Sequence, residues 1–273
     1  MGAAVTGAVP DKVLDGPLGL QGDDVLRVLA YNVRSLRDDH RLVYSVIRSC
    51  GADVVCIQEA PRLPGWQLWC RRLAAATGLK IVTGGRPAAA MLILARPDLT
   101  VQERRNVLLT PAPRLHRRGL ASARFVTGVG TVTITSMHLD LDPGWRRLHA
   151  AETLAALEDI PGPHILAGDV NELAGAPAWT LFARRLTDAY AVAPVGDGLT
   201  FPARRPQRRI DGIFVDAGLD VVACGVPQLP RLAEASDHLP LLAVLRRRPD
   251  DADADEGRRR RGPGSSYSWP ADT

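Results

Sequence analysis

The stretch LASARFVTGVGTVTITSM, Leu120–Met137, decides the fold. Within it, Thr131–Thr135 alternates threonine with Val132 and Ile134. A period of two carried by β-branched residues is the mark of a strand with two unlike faces. Leu120–Val126 and Val129–Met137 therefore read as a hairpin that turns through Thr127-Gly128. Upstream, further strand-type runs follow one another with no helix between them. They are Leu79–Val82, Ala88–Ala95 across the Gly84-Gly85-Arg86-Pro87 turn, and Leu99–Leu109. A doubly wound parallel sheet needs a helix after each strand, so this order excludes it.

Working outward, shorter apolar runs predict strands at Val25–Tyr31, Ala52–Ile57, His164–Ala167, Arg209–Val215, Leu219–Cys224 and Leu239–Leu245. Helices are predicted at Leu36–Arg48, where Leu36, Val43, Val46 and Ile47 form an apolar face, and at Trp66–Ala76, stopped before Gly78. Two more are predicted at Gly144–Leu157, ended by Pro161, and at Pro177–Arg185. Thr110–Arg118 reads as a Pro- and Arg-rich loop. No repeat of 20–50 residues is visible. The expected class is α+β: two packed, mainly antiparallel sheets with helices on their outer faces, in four layers, α/β/β/α.

The 273 residues and the 46% hydrophobic content are enough for one large core, and with 5% aromatics that core must be aliphatic. Residues 1–24 read as a flexible lead, 25–245 as the domain and 246–273 as a charged, disordered tail. The tail holds seven arginines and six acids and almost no apolar side chains, so burial cannot offset the entropy of ordering it. Tyr267 and Trp269 are its exceptions. Of the net charge of +4, the tail carries +1, so the body is only weakly basic. No apolar run reaches the length of a membrane span. The N-terminus lacks the charged-then-apolar plan of a signal peptide, since Asp11, Lys12 and Asp15 interrupt it. Cys50, Cys56, Cys70 and Cys224 form no CxxC pair and read as buried free thiols, with a reducing cytoplasm as the expected location.

Polar groups stand where the apolar runs end. Asn32 follows VLRVLAY, Glu59 follows ADVVCIQ, and His138 follows TVTITSM. Asp169 and Asn171 follow HILAG, Asp211 interrupts RRIDGIFV, and Asp237-His238 precedes the last strand. Each has a bland reading. Asp169 with Asn171 could cap a turn, and a single histidine is commonly a satisfied core group. Asp211, among Ile210, Ile213 and Phe214, is harder to dismiss, because a buried carboxylate needs a partner or a cation. Together, strand ends that each deliver an oxygen donor point to one converging site. Oxygen-rich ligation is hard-cation chemistry, for which Mg²⁺ or Mn²⁺ fits and cysteine-held zinc does not.

In order along the chain, LRVLAYNVR (Leu26–Arg34), VVCIQE (Val54–Glu59), SMHLD (Ser136–Asp140), LAGDVNE (Leu166–Glu172), RIDGIFV (Arg209–Val215) and SDHLP (Ser236–Pro240) resemble the motifs of the endonuclease/exonuclease/phosphatase family. The resemblance implies a metal-dependent phosphoesterase. It gives Glu59 as principal metal ligand, with Asn32 and Asp237 beside the metal. It gives Asp169 and Asn171 as the pair that orients water and phosphate, and His238 as the histidine beside the scissile phosphate, oriented by Asp211. It gives His138 as a phosphate contact near the leaving oxygen, and Arg118 as a phosphate-side arginine. There are departures. No tyrosine lies between Tyr44 and Tyr190, where abasic-site endonucleases place a functional one. GDFN is GDVN here, and RIDY is RIDG, with Gly212 expected to widen the mouth of the pocket.

Three functions remain open on the sequence. A nuclease would use Arg114, Arg117, Arg118, Arg204, Arg205, Arg208 and Arg209 against phosphates. No aromatic stacking platform stands out, since Phe201, Trp145 and Trp179 are isolated. The alternatives are a phosphatase or phosphodiesterase for a small metabolite or lipid headgroup, and a non-catalytic binding module. No obligate protein partner is implied. If His238 is protonated it cannot be the base, and Asp169 takes that part, with one Mg²⁺ preferred.

Overall fold

The computed structural model describes residues 25–248. The lead, most of the charged tail, and Tyr267 and Trp269 lie outside the described residues. In chain order the elements are β1 (Val25–Asn32), α1 (His40–Cys50), β2 (Val54–Gln58), α2 (Trp66–Thr77), β3 (Lys80–Gly85) and β4 (Met91–Ala95). Then come β5 (Thr100–Leu108), β6 (Gly119–Thr127), β7 (Gly130–His138), α3 (Pro143–Glu158), β8 (His164–Asp169) and α4 (Pro177–Arg185). Last are β9 (Thr187–Asp188), α5 (Ala189–Val192), β10 (Pro194–Val195), β11 (Asp211–Val215), β12 (Leu219–Gly225) and β13 (Leu241–Arg247).

The strands form two sheets. One has seven strands in the order β10-β12-β13-β1-β2-β4-β3, and the other six in the order β5-β6-β7-β8-β11-β9. Most pairs are antiparallel, and β1–β2, β7–β8 and β10–β12 are parallel. The expected four layers are present because strand alternation sorts residues onto two apolar faces. In β1, Leu26, Val28 and Ala30 meet Phe125, Ile134, Ile165 and Ile213 between the sheets. Leu29 and Tyr31 turn the other way, toward Val43, Ile47 and Leu73 of α1 and α2. On the far side, Leu166 and Phe214 pack against Trp179 and Phe182 of α4 and Leu157 of α3. All four cysteines are buried and free, and burial pushes the Cys50 thiol up to about 12.

Several boundaries differ from the sequence reading. α1 begins at His40 because Arg34–Leu36 form a separate 3-10 turn with φ of 45, 55 and 57°. Asp39 then starts the helix by accepting the N–H groups of Arg41 and Leu42. β4 begins at Met91, after a second such turn at Arg86–Ala88. β13 starts at Leu241 and runs on to Arg247, with Arg246 paired to Asp220. The turn between β6 and β7 falls on Gly128-Val129, since Thr127 pairs with Gly130. β9, α5 and β10 are too short to leave a periodic signal.

Register carries the polar strand ends to one place. In the parallel pair β7–β8, His138 lies opposite Asp169, and in the antiparallel pair β8–β11, Asp211 lies opposite Asp169. Gly168 lets β8 come this close. A Cβ there would stand 1.9 Å from the carbonyl oxygen of Met137.

Candidate active site

Asp169 is the hub. Its Oδ2 lies 3.3 Å from His138 Nε2, 3.6 Å from His238 Nε2 and 3.1 Å from the Asn32 amide nitrogen, which donates to it. Its Oδ1 accepts the backbone N–H of Asn171 at 2.9 Å, a bond across the tight turn that follows β8. Asn171 has φ 56°, a strained conformation for a residue with a Cβ. Its side-chain nitrogen donates to the Leu139 carbonyl at 3.0 Å and lies 2.9 Å from His138 Nε2. That ring nitrogen thus sits between the Asn171 amide and the Asp169 carboxylate. Burial holds this imidazole well below its ordinary pKa, so the His138 ring is neutral.

His238 has the opposite charge state. Its Nδ1 is 2.9 Å from Asp211 Oδ2, and Phe201 packs against the ring with centroids 4.8 Å apart. Burial alone would lower its pKa. The Asp211 and Asp169 carboxylates outweigh burial and lift it to about 10, so the imidazolium is the resting form at neutral pH. The Asp169 carboxyl is pushed up by burial, pulled down by His238 and pushed up again by Asp211, to about 7. The loop that carries His238 is fixed by Ser236, whose hydroxyl donates to the Asn32 carbonyl at 2.8 Å.

Glu59 follows β2 directly and has φ 53°, a second strained backbone position at the site. Its Oε1 accepts from the same Asn32 amide nitrogen, at 3.2 Å. One amide thus spans the Glu59 and Asp169 carboxylates. Asn32 Oδ1 is taken by the Arg34 N–H, so the amide presents its nitrogen, not its oxygen, to the acids. Asp237 lies further out. Its carboxylate is about one-third exposed and is held by Arg34 Nε at 3.2 Å. Arg118 is 8% exposed and lies 3.5 Å from Asp140 in the cleft wall.

Glu59, His138, Asp169, Asn171 and His238 line a cleft of about 610 Å³, with Arg118 in its wall. Asn32 and Asp211 are joined to that group by hydrogen bonds, and Asp237 stands beside His238, paired with Arg34. Gly212 is elsewhere. It alternates with Asp211 and faces the outer layer, where a Cβ would meet Phe214 at 2.7 Å and Trp179 at 3.0 Å. The missing aromatic therefore does not widen the mouth. Of the seven predicted phosphate-binding arginines, Arg209 is also committed elsewhere. Both its Nη atoms donate to Asp188, and its guanidinium stacks on Trp179 and Tyr190.

The sequence reading missed three residues. Phe201 backs His238 and carries Arg208 on its ring at 4.8 Å. Arg62 lines the cleft three residues after Glu59. Arg146 on α3 is buried, and its guanidinium donates to the carbonyls of Asp140, Leu141 and Asn171, tying the turns after β7 and β8 together. A cation on the buried face of an amphipathic helix was the signal available for Arg146. Phe201 gave none.

The donor set fits a hard divalent cation. Asp169, Asp211 and His238 offer ligand atoms within 4.8 Å of one another, and Asp211 Oδ1 is buried with no hydrogen-bond partner among the described residues. The His238 imidazolium already neutralises part of that trio. Glu59, which lines the cleft and is joined to Asp169 through Asn32, could also take part in holding a cation.

A family model described as Endonuclease/Exonuclease/phosphatase family matches residues 29–238. The chain belongs to that family. It is thus a metal-dependent phosphoester hydrolase. No curated protein matches it in sequence. Among solved structures, an endonuclease/exonuclease/phosphatase from Bacteroides vulgatus is 22% identical with a TM-score of 0.70, covering 82% of this chain and 99% of its own. The mannosyl-6-phosphatase of Bacteroides thetaiotaomicron is 19% identical with a TM-score of 0.70, covering 81% and 99%. TDP2 from D. rerio, in complex with a single-strand DNA product, is 18% identical with a TM-score of 0.66, covering 81% and 98%. At these identities the likeness establishes a shared fold. For this family member, the fold explains why six short motifs scattered over some 200 residues meet at one end of two sheets.

Proposed function

We propose that the chain is a Mg²⁺-dependent phosphodiesterase that cuts a nucleic-acid strand. The observation that carries this reading is the pairing of a cationic His238 with a carboxyl at Asp169, at the floor of a cleft walled by Arg37, Arg62, Arg117 and Arg208. Glu59, its carboxylate steadied by the Asn32 amide, would hold the metal, whose role is to neutralise the phosphoryl oxygens and the leaving oxygen. Asp237 is already neutralised by Arg34, which favours one metal over two.

The remaining work falls to the chain's own groups. His238, protonated and oriented by Asp211, donates to a phosphoryl oxygen. Because it holds its proton, it cannot act as base, and Asp169 takes the proton of the attacking water. A carboxyl titrating near neutrality suits that part. Asn171, fixed through the N–H to Asp169 and by Arg146, orients the phosphate. Neutral His138, its Nε2 turned to Asn171, sits where the leaving group departs. Arg118 contributes positive charge from the wall.

A second reading, hydrolysis of a small phosphorylated metabolite, draws on the size of the cleft, which is that of a small-ligand pocket. One experiment separates the two. Plasmid, single-stranded DNA, RNA, and a panel of nucleotide and sugar phosphates are incubated with the enzyme in Mg²⁺ and in Mn²⁺. The nuclease reading expects strand cleavage that falls steeply with salt. Turnover of monoesters alone, indifferent to salt, would refute it.

A further inference from the structure

Next to the cleft runs a second groove, of about 360 Å³, lined by Leu36, Pro61, Leu63, Pro64, Trp66 and Trp69. It is not a separate place on the surface. Ser35, Arg37 and Arg62 line both the groove and the cleft, so the two are continuous through a junction bearing two guanidinium groups. Its floor is the segment that leaves Glu59, and its far wall is the first turn of α2.

The two tryptophans differ in freedom. The Trp66 ring lies over Gly85, where a Cβ would come within 2.3 Å of it, and this close fit holds the ring in place. The Trp69 ring is 37% exposed, with the Arg72 guanidinium over it at 5.4 Å and His40 edge-on at 5.6 Å. Leu63, at the other side, is 70% exposed. Apolar and aromatic surface of this extent, left open beside a polar site, marks a place where a ligand lies.

We propose that this groove holds the base of the nucleotide next to the scissile phosphate. The charge at its entrance favours a base over an acyl chain. A ligand that reaches the groove from the cleft must pass Arg37 and Arg62, which suit a phosphate followed by a flat, weakly polar ring. The groove then offers that ring the indole of Trp69 and the side chain of Leu63. Stacking of this kind accepts any base, because each presents a π-face. The inference rests on the nuclease reading, and it supplies the stacking platform that the sequence alone did not reveal.

The test uses the full chain and two single-stranded oligodeoxynucleotides of equal length, one with bases and one with tetrahydrofuran abasic units. Wild type should cut the base-bearing strand roughly 5- to 100-fold more efficiently in kcat/KM. Trp69→Ala should bring that strand down to the abasic level and leave abasic cleavage unchanged. Leu63→Ser should act the same way more weakly, and covers the case in which Trp69→Ala folds poorly. Leu68→Ala, on the same helix but outside the groove, should change neither. Equal cleavage of the two strands by wild type, or an equal loss on both in Trp69→Ala, overturns the proposal while leaving the nuclease reading intact.

Binding decides the matter without turnover. In metal-free buffer with chelator, adenosine 5′-monophosphate should quench tryptophan fluorescence at concentrations where ribose 5-phosphate does not, and Trp69→Phe should lose most of that quench. Should no strand be cut at all, the nuclease reading fails, and this titration still judges the groove. Equal responses to the two phosphates, or a response to phosphatidylglycerol vesicles alone, would overturn it.

Discussion

Arg209 and Asp211 stand two residues apart at the start of β11, and each enters a buried acid–base pair. The first pair is saturated. Asp188 accepts from both Nη atoms of Arg209, from Trp179 Nε1 and from the N–H groups of Tyr190 and Ala191, and the guanidinium is sandwiched against two rings. The second pair is incomplete. Asp211 Oδ2 meets His238, but Oδ1 is buried with no partner among the described residues, and His238 Nε2 faces a second carboxylate. A buried polar atom without a partner costs stability. Asp211 keeps one beside His238, which lines the cleft. Saturation separates a clamp from a site where residue type and burial do not.

Substitutions can break this contrast. The largest effect is expected at the hub. Asp169→Asn should lower kcat by about 10³-fold or more, with a melting temperature no lower than wild type and metal affinity by calorimetry largely retained. Near-normal turnover in that variant would remove Asp169 from the role of base. Next, Asp211→Asn should reduce kcat by roughly 10²-fold with little change in thermal midpoint, because an incomplete buried charge is relieved.

Asp188→Ala should do the reverse. Breaking one side of a saturated buried pair destabilises by about 3–5 kcal/mol, read by denaturant titration, while kcat per folded molecule stays within about threefold of wild type. A clamp variant that kept its stability and lost its activity would erase the distinction. The smallest effect is expected from Phe201→Ala. Losing an aromatic contact of about 0.5–1.5 kcal/mol against His238 should cost roughly 2- to 10-fold in kcat/KM.

The sequence carried more of this site than of the loops around it. Strands β1, β2, β7 and β8 are long apolar runs with a polar end, so both their existence and the residue that stops each could be read directly. Asn32, Glu59, His138 and Asp169 were legible for that reason. What stayed hidden has a local cause. The Arg34–Leu36 turn has left-handed backbone at residues that do not advertise it, so α1 was begun early. Trp66 and Trp69 fell inside the predicted helix, and spacing does not say which side of a helix lacks a neighbour. Arg209 read as a phosphate binder because its partner, Asp188, is 21 residues away on a strand of two residues. Gly212 was misread for want of knowing which face of β11 looks inward.

Asn32 and Glu59 hang from the seven-stranded sheet, as does the loop of His238, while His138, Asp169 and Asp211 belong to the six-stranded one. The chemistry is stitched across a seam between two slabs packed through apolar side chains such as Ile134, Val28 and Phe125, with hydrogen bonds such as that from Gln58 to Ser136 crossing it. Turnover is therefore a gauge of how those slabs are seated. A void opened at Ile134, well away from the cleft, would let them slide and would silence the enzyme before it melted it.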